Sequence, residues 1–105
     1  DVAFPMSSPT SKADVGGLLN YKDAFIYRGR FSGSNMNDVP EFGIWELYAI
    51  ENIANIPDID NFGILEYIGT SIGFRVQKAY PRNVYKRAQV RYKSDNSGWS
   101  EWVDL

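Results

Sequence analysis

From residue 24 onwards the chain is a series of short runs rich in aromatic and β-branched residues, separated by Gly, Asn, Asp and Pro. Within each run the side chains alternate in character with the period of a β-strand. We therefore predict an all-β or β-dominated domain, a small antiparallel sheet or sandwich of about six short strands with long loops. The candidate strands are residues 24–32, 43–50, 63–69, 73–80, 85–94 and 99–105.

Turn-forming residues indicate where the strands are connected. Pro40 lacks a backbone donor and biases the residue before it away from the helical region, which predicts a loop over residues 33–42. Residues 51–62 contain a proline and several Asn and Asp, and we favour a loop there. A short helix is the alternative, because apolar residues over 47–54 have helical spacing. Residues 70–72 predict a hairpin.

The first twenty residues lack the pattern of the rest of the chain. Residues 1–20 combine Pro, Gly, Ser, Thr and Asn without a sustained period, which is typical of a linker or an extended arm. We place one β domain over residues 21–105, because 105 residues suit a single domain. Apolar residues such as Phe4 and Met6 either dock on a neighbour or belong to a free tether. Since the chain begins at Asp1, we expect a fragment or processed product joined to an upstream region.

The residue types behind common catalytic and metal chemistry are missing. The chain has no His and no Cys, which removes thiol nucleophiles, imidazole bases, the usual zinc sites and disulfides. Asp58, Asp60 and Asn61 have calcium-like spacing, but Gly69 stands where a calcium loop needs a bidentate Glu. Paired carboxylates can cleave glycosides, yet so small a chain has little room for a cleft that distorts a sugar. We predict a non-enzymatic protein without metal or cofactor.

The overall charge argues against two classes of partner. With 11 Lys and Arg against 13 Asp and Glu, the net charge is −2, which gives no field to attract duplex DNA. No apolar run approaches the roughly 18 residues that span a bilayer. We therefore expect neither nucleic-acid binding nor membrane insertion. Basic and aromatic residues interleaved over 85–92 leave single-stranded nucleic acid as a weaker alternative.

Charge is divided between two segments. Residues 38–66 carry seven acidic residues and no basic one, and residues 75–93 carry seven basic residues and no acidic one. Cross-strand pairing is one interpretation, with Glu66 opposite Arg75 or a near neighbour. In the other interpretation, one strand face presents a basic ladder to an acidic polymer or to another subunit. The residues of that ladder are Arg87, Gln89 and Arg91.

The aromatic residues near the C-terminus suggest a binding site. Trp99 and Trp102 fall on opposite faces of a regular strand, so that one packs and the other is more exposed. Flat rings stack on sugars while neighbouring Asn, Asp, Gln and Arg bind hydroxyls, although an aromatic core would use the same rings. The candidate ligand-binding residues are Tyr80, Arg82, Tyr85, Arg87, Arg91, Trp99 and Trp102.

Residues 40–105 resemble the knob domains of bacteriophage tail fibres and R-type pyocin fibres. The resemblance rests on the ordered series PEFGIWELYA, then a loop with Pro57, then FGILEYIG, and then FRVQKAYPRNVYKRAQVRYKSDNSGWSEWVDL. Its most specific part is the ending from Gly98 to Leu105. The chain departs from the pattern at Trp45, where Tyr is common in the family, and the first forty residues show no family pattern.

The resemblance implies a virion or extracellular appendage, usually a homotrimer, that forms a surface-recognition tip. Residues 21–105 would then be a knob-like β domain of a receptor-binding protein whose partner is a bacterial cell-surface polysaccharide or another envelope glycan. It also implies that motif residues such as Gly63 and Trp99 build the fold rather than touch ligand. Two alternatives remain open, namely a purely structural trimerisation or spacer knob and a carbohydrate-binding module of a secreted hydrolase.

Overall fold

The computed structural model describes residues 26–105, which form one six-stranded mixed sheet with the strands in sequence order. The prediction of an all-β domain is confirmed. The predicted arm at residues 1–20 and the start of the domain predicted from residue 21 lie outside the described residues. The strands are β1 (Tyr27–Arg30), β2 (Gly43–Tyr48), β3 (Phe62–Gly69), β4 (Arg75–Pro81), β5 (Gln89–Lys93) and β6 (Val103–Asp104). Two short 3₁₀ helices, Met36–Asp38 and Ile50–Asn52, lie in the connections.

The first strand pair differs from the predicted antiparallel arrangement. β1 runs parallel to β2, with Arg30 beside Glu46, whereas the other four pairs are antiparallel. A parallel pair needs a connection of about a dozen residues or more, and residues 31–42 provide it. A bulge between Tyr27 and Gly29 also interrupts the alternation predicted for this strand, and Gly29 has a φ of 93°. Tyr27 is consequently exposed while Phe31 is buried.

Two long connections cover one face of the sheet and create the core. The β1–β2 and β2–β3 connections are tied together by backbone hydrogen bonds, with the Met36 N–H donating to Ala54 O and the Ala54 N–H donating to Ser34 O. We call the side they cover the covered face. Its buried apolar residues are Phe31, Met36, Val39, Trp45, Leu47, Ile50, Leu65 and Ala79. The loop predicted at residues 51–62 is present, and the rival helix is reduced to the single 3₁₀ turn at Ile50–Asn52.

The hairpin predicted at residues 70–72 is confirmed between β3 and β4. The Thr70 N–H donates to Phe74 O at 3.0 Å across the turn. In the observed register Glu66 lies opposite Lys78, and Arg75 lies opposite Gly69. The residue opposite Glu66 is therefore the near neighbour Lys78 rather than Arg75, and the described residues form no ion pair at Glu66.

The last two strands are shorter than their sequence patterns predict. β5 starts only at Gln89, because residues 82–88 form a connection in which Asn83 accepts a hydrogen bond from the Tyr85 N–H at 2.9 Å. The turn predicted at residues 94–98 is present, and the Ser97 N–H donates to Ser94 O there. The C-terminal strand is reduced to Val103–Asp104.

The opposite side of the sheet, which we call the open face, carries several exposed side chains. Exposed apolar side chains on this face include Ile64 on β3, Tyr92 on β5 and Val103 on β6. Glu46 pairs with Arg30 there at 3.3 Å. Within the described residues, no helix has the length and apolar content needed to cross a membrane.

Candidate functional site

Arg91 lies on the covered face of β5 with only 3% of its surface exposed. It stands directly opposite Gln77 on β4, and its Nε donates a hydrogen bond to Gln77 Oε1 at 2.8 Å. The Gln77 Nε2 in turn donates to Met36 O at 3.0 Å. Gln77 thus links the guanidinium to the first 3₁₀ helix and fixes its orientation.

Two tryptophans hold the guanidinium of Arg91 between their rings. The Arg91 Cζ lies 4.4 Å from the ring centroid of Trp99 and 4.7 Å from that of Trp102. Each such contact is worth about 0.5–2 kcal/mol, with the larger values at desolvated sites. The Trp102 indole N–H donates to Asn55 O at 2.9 Å, and Trp99 packs against Tyr67. We call this arrangement the Trp–Arg–Trp clamp.

The prediction that Trp99 and Trp102 lie on opposite faces is wrong. Residues 99–102 precede β6 and belong to no strand, so strict two-residue alternation does not apply to them. Ser100 anchors this segment to β5, since its backbone N–H donates to Tyr92 O at 2.8 Å and its Oγ accepts from the Tyr92 N–H at 2.9 Å. Both rings consequently reach the same guanidinium.

One nitrogen of the Arg91 guanidinium has no partner. Its Nη2 is buried and forms no hydrogen bond with any described residue. Among residues 26–105, Arg91 also forms no ion pair. Burial lowers the pKa of Arg91 to about 10, because desolvation disfavours the charged form. The side chain is still cationic at neutral pH, so the site holds a buried positive charge that no carboxylate of residues 26–105 neutralises.

Two neighbouring cavities meet at Trp99. The first, the Arg91 cavity, has a volume of about 410 Å³. The second, the Lys93 cavity, has a volume of about 320 Å³, and Trp99 and Asn37 line both. A ring flanked by amide, hydroxyl and charged groups can stack on a sugar while those groups bind its hydroxyls. The Arg91 cavity is also lined by Asn55, Ile56, Arg91, Ser100, Glu101 and Trp102, and the Lys93 cavity by Tyr67, Gly73, Arg75, Lys93 and Asp95.

Tyr80 and Arg82, two further predicted site residues, lie together at a different place. They line a cavity of about 450 Å³ that opens on the open face beside Tyr48 and Phe62. The Arg82 Cζ covers the Phe62 ring at 4.3 Å. The Tyr80 hydroxyl donates to Glu66 Oε1 at 3.0 Å, and burial together with this carboxylate raises the pKa of Tyr80. This cavity offers rings but fewer hydrogen-bonding side chains than the Arg91 cavity.

Tyr85 and Arg87 lie in the connection between β4 and β5 and line neither of the cavities at Trp99. Tyr85 is 93% exposed, and Arg87 contacts Asp104 at 3.9 Å in an exposed pair. The seven predicted residues thus fall into three groups. In one of them, Arg91 contacts both Trp99 and Trp102, and all three line the same cavity.

The predicted basic ladder of Arg87, Gln89 and Arg91 does not form. Gln89 and Arg91 are buried on the covered face, and Arg87 precedes β5. Gln89 is used internally, accepting from the Asp58 N–H at 2.6 Å and donating to Asp104 Oδ1 at 3.0 Å. Gln89 and Arg91 do share one side of β5, as the alternation predicts, but that side faces inward.

The site residues that sequence reasoning missed include Asn37, Asn55 and Gln77. The first two come from loops whose folding over the sheet has no local sequence signal. Gln77 does have a local sequence signal. It lies two residues before Ala79 on β4, so both side chains point inward from the same side of the strand. A polar side chain at an inward position indicates a buried hydrogen-bond partner.

No described group of three or more Asp or Glu residues is arranged to hold a metal ion.

Comparison of the chain with protein-family models, with curated proteins and with solved structures found no match. The fold and the site define a small all-β domain with an aromatic, cationic cavity at the C-terminal end of its chain.

Proposed function

We propose that this chain is a non-enzymatic domain of a bacteriophage tail fibre or receptor-binding protein that recognises a bacterial surface glycan. Trp99 carries the proposal, because one indole borders two cavities that amides and charged side chains also line. The resemblance of residues 40–105 to fibre knob domains also supports a role in a fibre, although it implies a structural role for Trp99 itself. Under this proposal the domain works outside the bacterial cell, as part of a virion.

We also propose that the domain acts as a homotrimer. Exposed apolar side chains on the open face, such as Ile64 and Val103, support contact with further copies of the chain. The face is close to neutral, since Glu46 pairs with Arg30 and Glu66 lies opposite Lys78. Copies can therefore meet there without like-charge repulsion. Three weak glycan sites on one fibre would raise avidity without any new contact.

Shortening Asn37 tests the glycan site without disturbing the core. Asn37 is exposed and lines both cavities. We expect the intact chain to bind at least one polysaccharide in a panel purified from bacterial surfaces. Asn37→Ala should weaken that binding about 2- to 10-fold, the value of one hydrogen bond, as measured by isothermal titration calorimetry. Trp99→Ala should weaken it more, because it also removes the stacking surface.

Matched variants separate binding from folding. Asn52→Ala changes an exposed Asn in the other 3₁₀ helix, and Tyr85→Ala removes an exposed ring that lines neither cavity, so neither should alter affinity. Equal losses in Asn37→Ala and Asn52→Ala would contradict the site.

Light scattering on the same samples should give a trimer. A trimer that binds no polysaccharide would favour the alternative of a purely structural knob, and a monomer would contradict the trimer.

A further inference from the structure

We infer that the Arg91 cavity takes the carboxylate of an acidic sugar, such as a uronic or sialic acid. This inference rests on the proposed glycan-binding function and adds the class of saccharide. The observation behind it is that Arg91, 3% exposed, has an unpartnered Nη2 and forms no ion pair with another described residue.

The buried guanidinium of Arg91 has no counter-anion within the part of the chain that the structure describes. Taking a cation out of water is costly unless an opposite charge or a full set of hydrogen bonds compensates for it. The Gln77 side-chain oxygen accepts one hydrogen bond, from Arg91 Nε. The faces of the cation are covered by Trp99 and Trp102. An anion in the adjoining cavity would supply the missing compensation, and it would act there through a medium of low dielectric constant.

The geometry of the clamp suits a carboxylate. A guanidinium is planar and matches the two oxygens of a carboxylate. The Gln77 hydrogen bond and the two rings hold this plane in place before any ligand arrives, which reduces the entropy lost on binding. Asn37 and Ser100 line the same cavity and can bind the hydroxyls of the same sugar.

The charges around Trp99 also favour an anion. Arg75 and Lys93 line the adjoining Lys93 cavity, and together with Arg91 they outnumber the two acidic residues, Asp95 and Glu101. None of these five residues forms an ion pair with another described residue. A polymer with repeated acidic sugars could therefore span both cavities.

The test compares acidic sugars with their neutral methyl esters. Galacturonate, glucuronate and N-acetylneuraminate are each titrated against the intact chain by ¹⁵N–¹H NMR, alongside the corresponding methyl esters. We expect at least one acid to bind five-fold or more tightly than its ester, with a difference that shrinks as salt is added. Acids that bind no more tightly than their esters would overturn the inference, as would glucose 6-phosphate binding more tightly than every acid.

Glu101→Gln provides a variant that leaves the buried clamp intact. It removes a negative charge that would repel the carboxylate of an acidic sugar in the Arg91 cavity. The acid should therefore bind more tightly, while the affinity for the methyl ester should not change. Glu51→Gln removes an exposed carboxylate that lines none of these cavities and should change neither. If neutral polysaccharides bind but the acids show no preference, only the acidic specificity fails. If no saccharide of either kind binds, the proposed function fails with it.

Discussion

Leu65→Ala should lower the free energy of unfolding by about 2–5 kcal/mol, the range found for truncating a fully buried leucine. Leu65 is 0% exposed and lies on β3 between Trp45 on β2 and Ala79 on β4. Its removal leaves a cavity that the sheet on one side and the loops on the other cannot close easily. Chemical denaturation followed by tryptophan fluorescence measures the loss.

Ile72→Ala is the matched control for Leu65. It removes a branched aliphatic side chain from the β3–β4 turn, where 65% of it is exposed, and should change stability by no more than about 0.5 kcal/mol. Equal losses in the two variants would mean that Leu65 is not in the core and that the covered face has been assigned wrongly.

Gly63→Ala should destabilise the domain by about 1–3 kcal/mol or more, the cost of forcing an extra group into a packed region. A Cβ at this position would collide with the Tyr80 carbonyl oxygen on β4. That oxygen belongs to the backbone of a paired strand, so β3 and β4 would have to separate locally. Thermal unfolding of the variant reports the effect as a lower Tm.

Gly98→Ala provides the comparison, since a Cβ at Gly98 meets no atom within 4 Å. Its stability should stay within about 0.5 kcal/mol of the parent. A Gly63→Ala domain as stable as the Gly98→Ala domain would show that the β3–β4 register is incorrect.

The sequence predicted the features that depend on local pattern. Alternating aromatic and β-branched residues locate strands, and turn residues locate the β3–β4 hairpin, because both signals lie within a few positions of each other. Strand direction is different. The parallel β1–β2 pair depends on how residues 31–42 pack on the sheet, and no short-range pattern encodes that path.

Three residues of the candidate site were predicted from the sequence, but its geometry was not. Arg91, Trp99 and Trp102 were each identified, yet Arg91 was placed on an exposed ladder. Polar residues usually indicate the wet side of a strand, but on β5 two of them point inward. Arg91 finds its partners in Gln77 and the two indoles, and Gln89 finds its partners in the Asp58 N–H and the Asp104 carboxylate. Those partners come from other segments, so only the tertiary structure could reveal them.

Indole N–H signals of the three tryptophans provide the most direct test of whether this domain binds saccharide at the Trp–Arg–Trp clamp. Trp45 serves as an internal reference, since it is buried in the core and its indole N–H donates to Glu41 O at 3.0 Å. On addition of a bacterial surface polysaccharide to the intact, ¹⁵N-labelled chain, the Trp99 and Trp102 indole signals should shift while the Trp45 signal stays in place. A polysaccharide that binds without moving the Trp99 and Trp102 signals, or a panel in which none binds, would contradict the account.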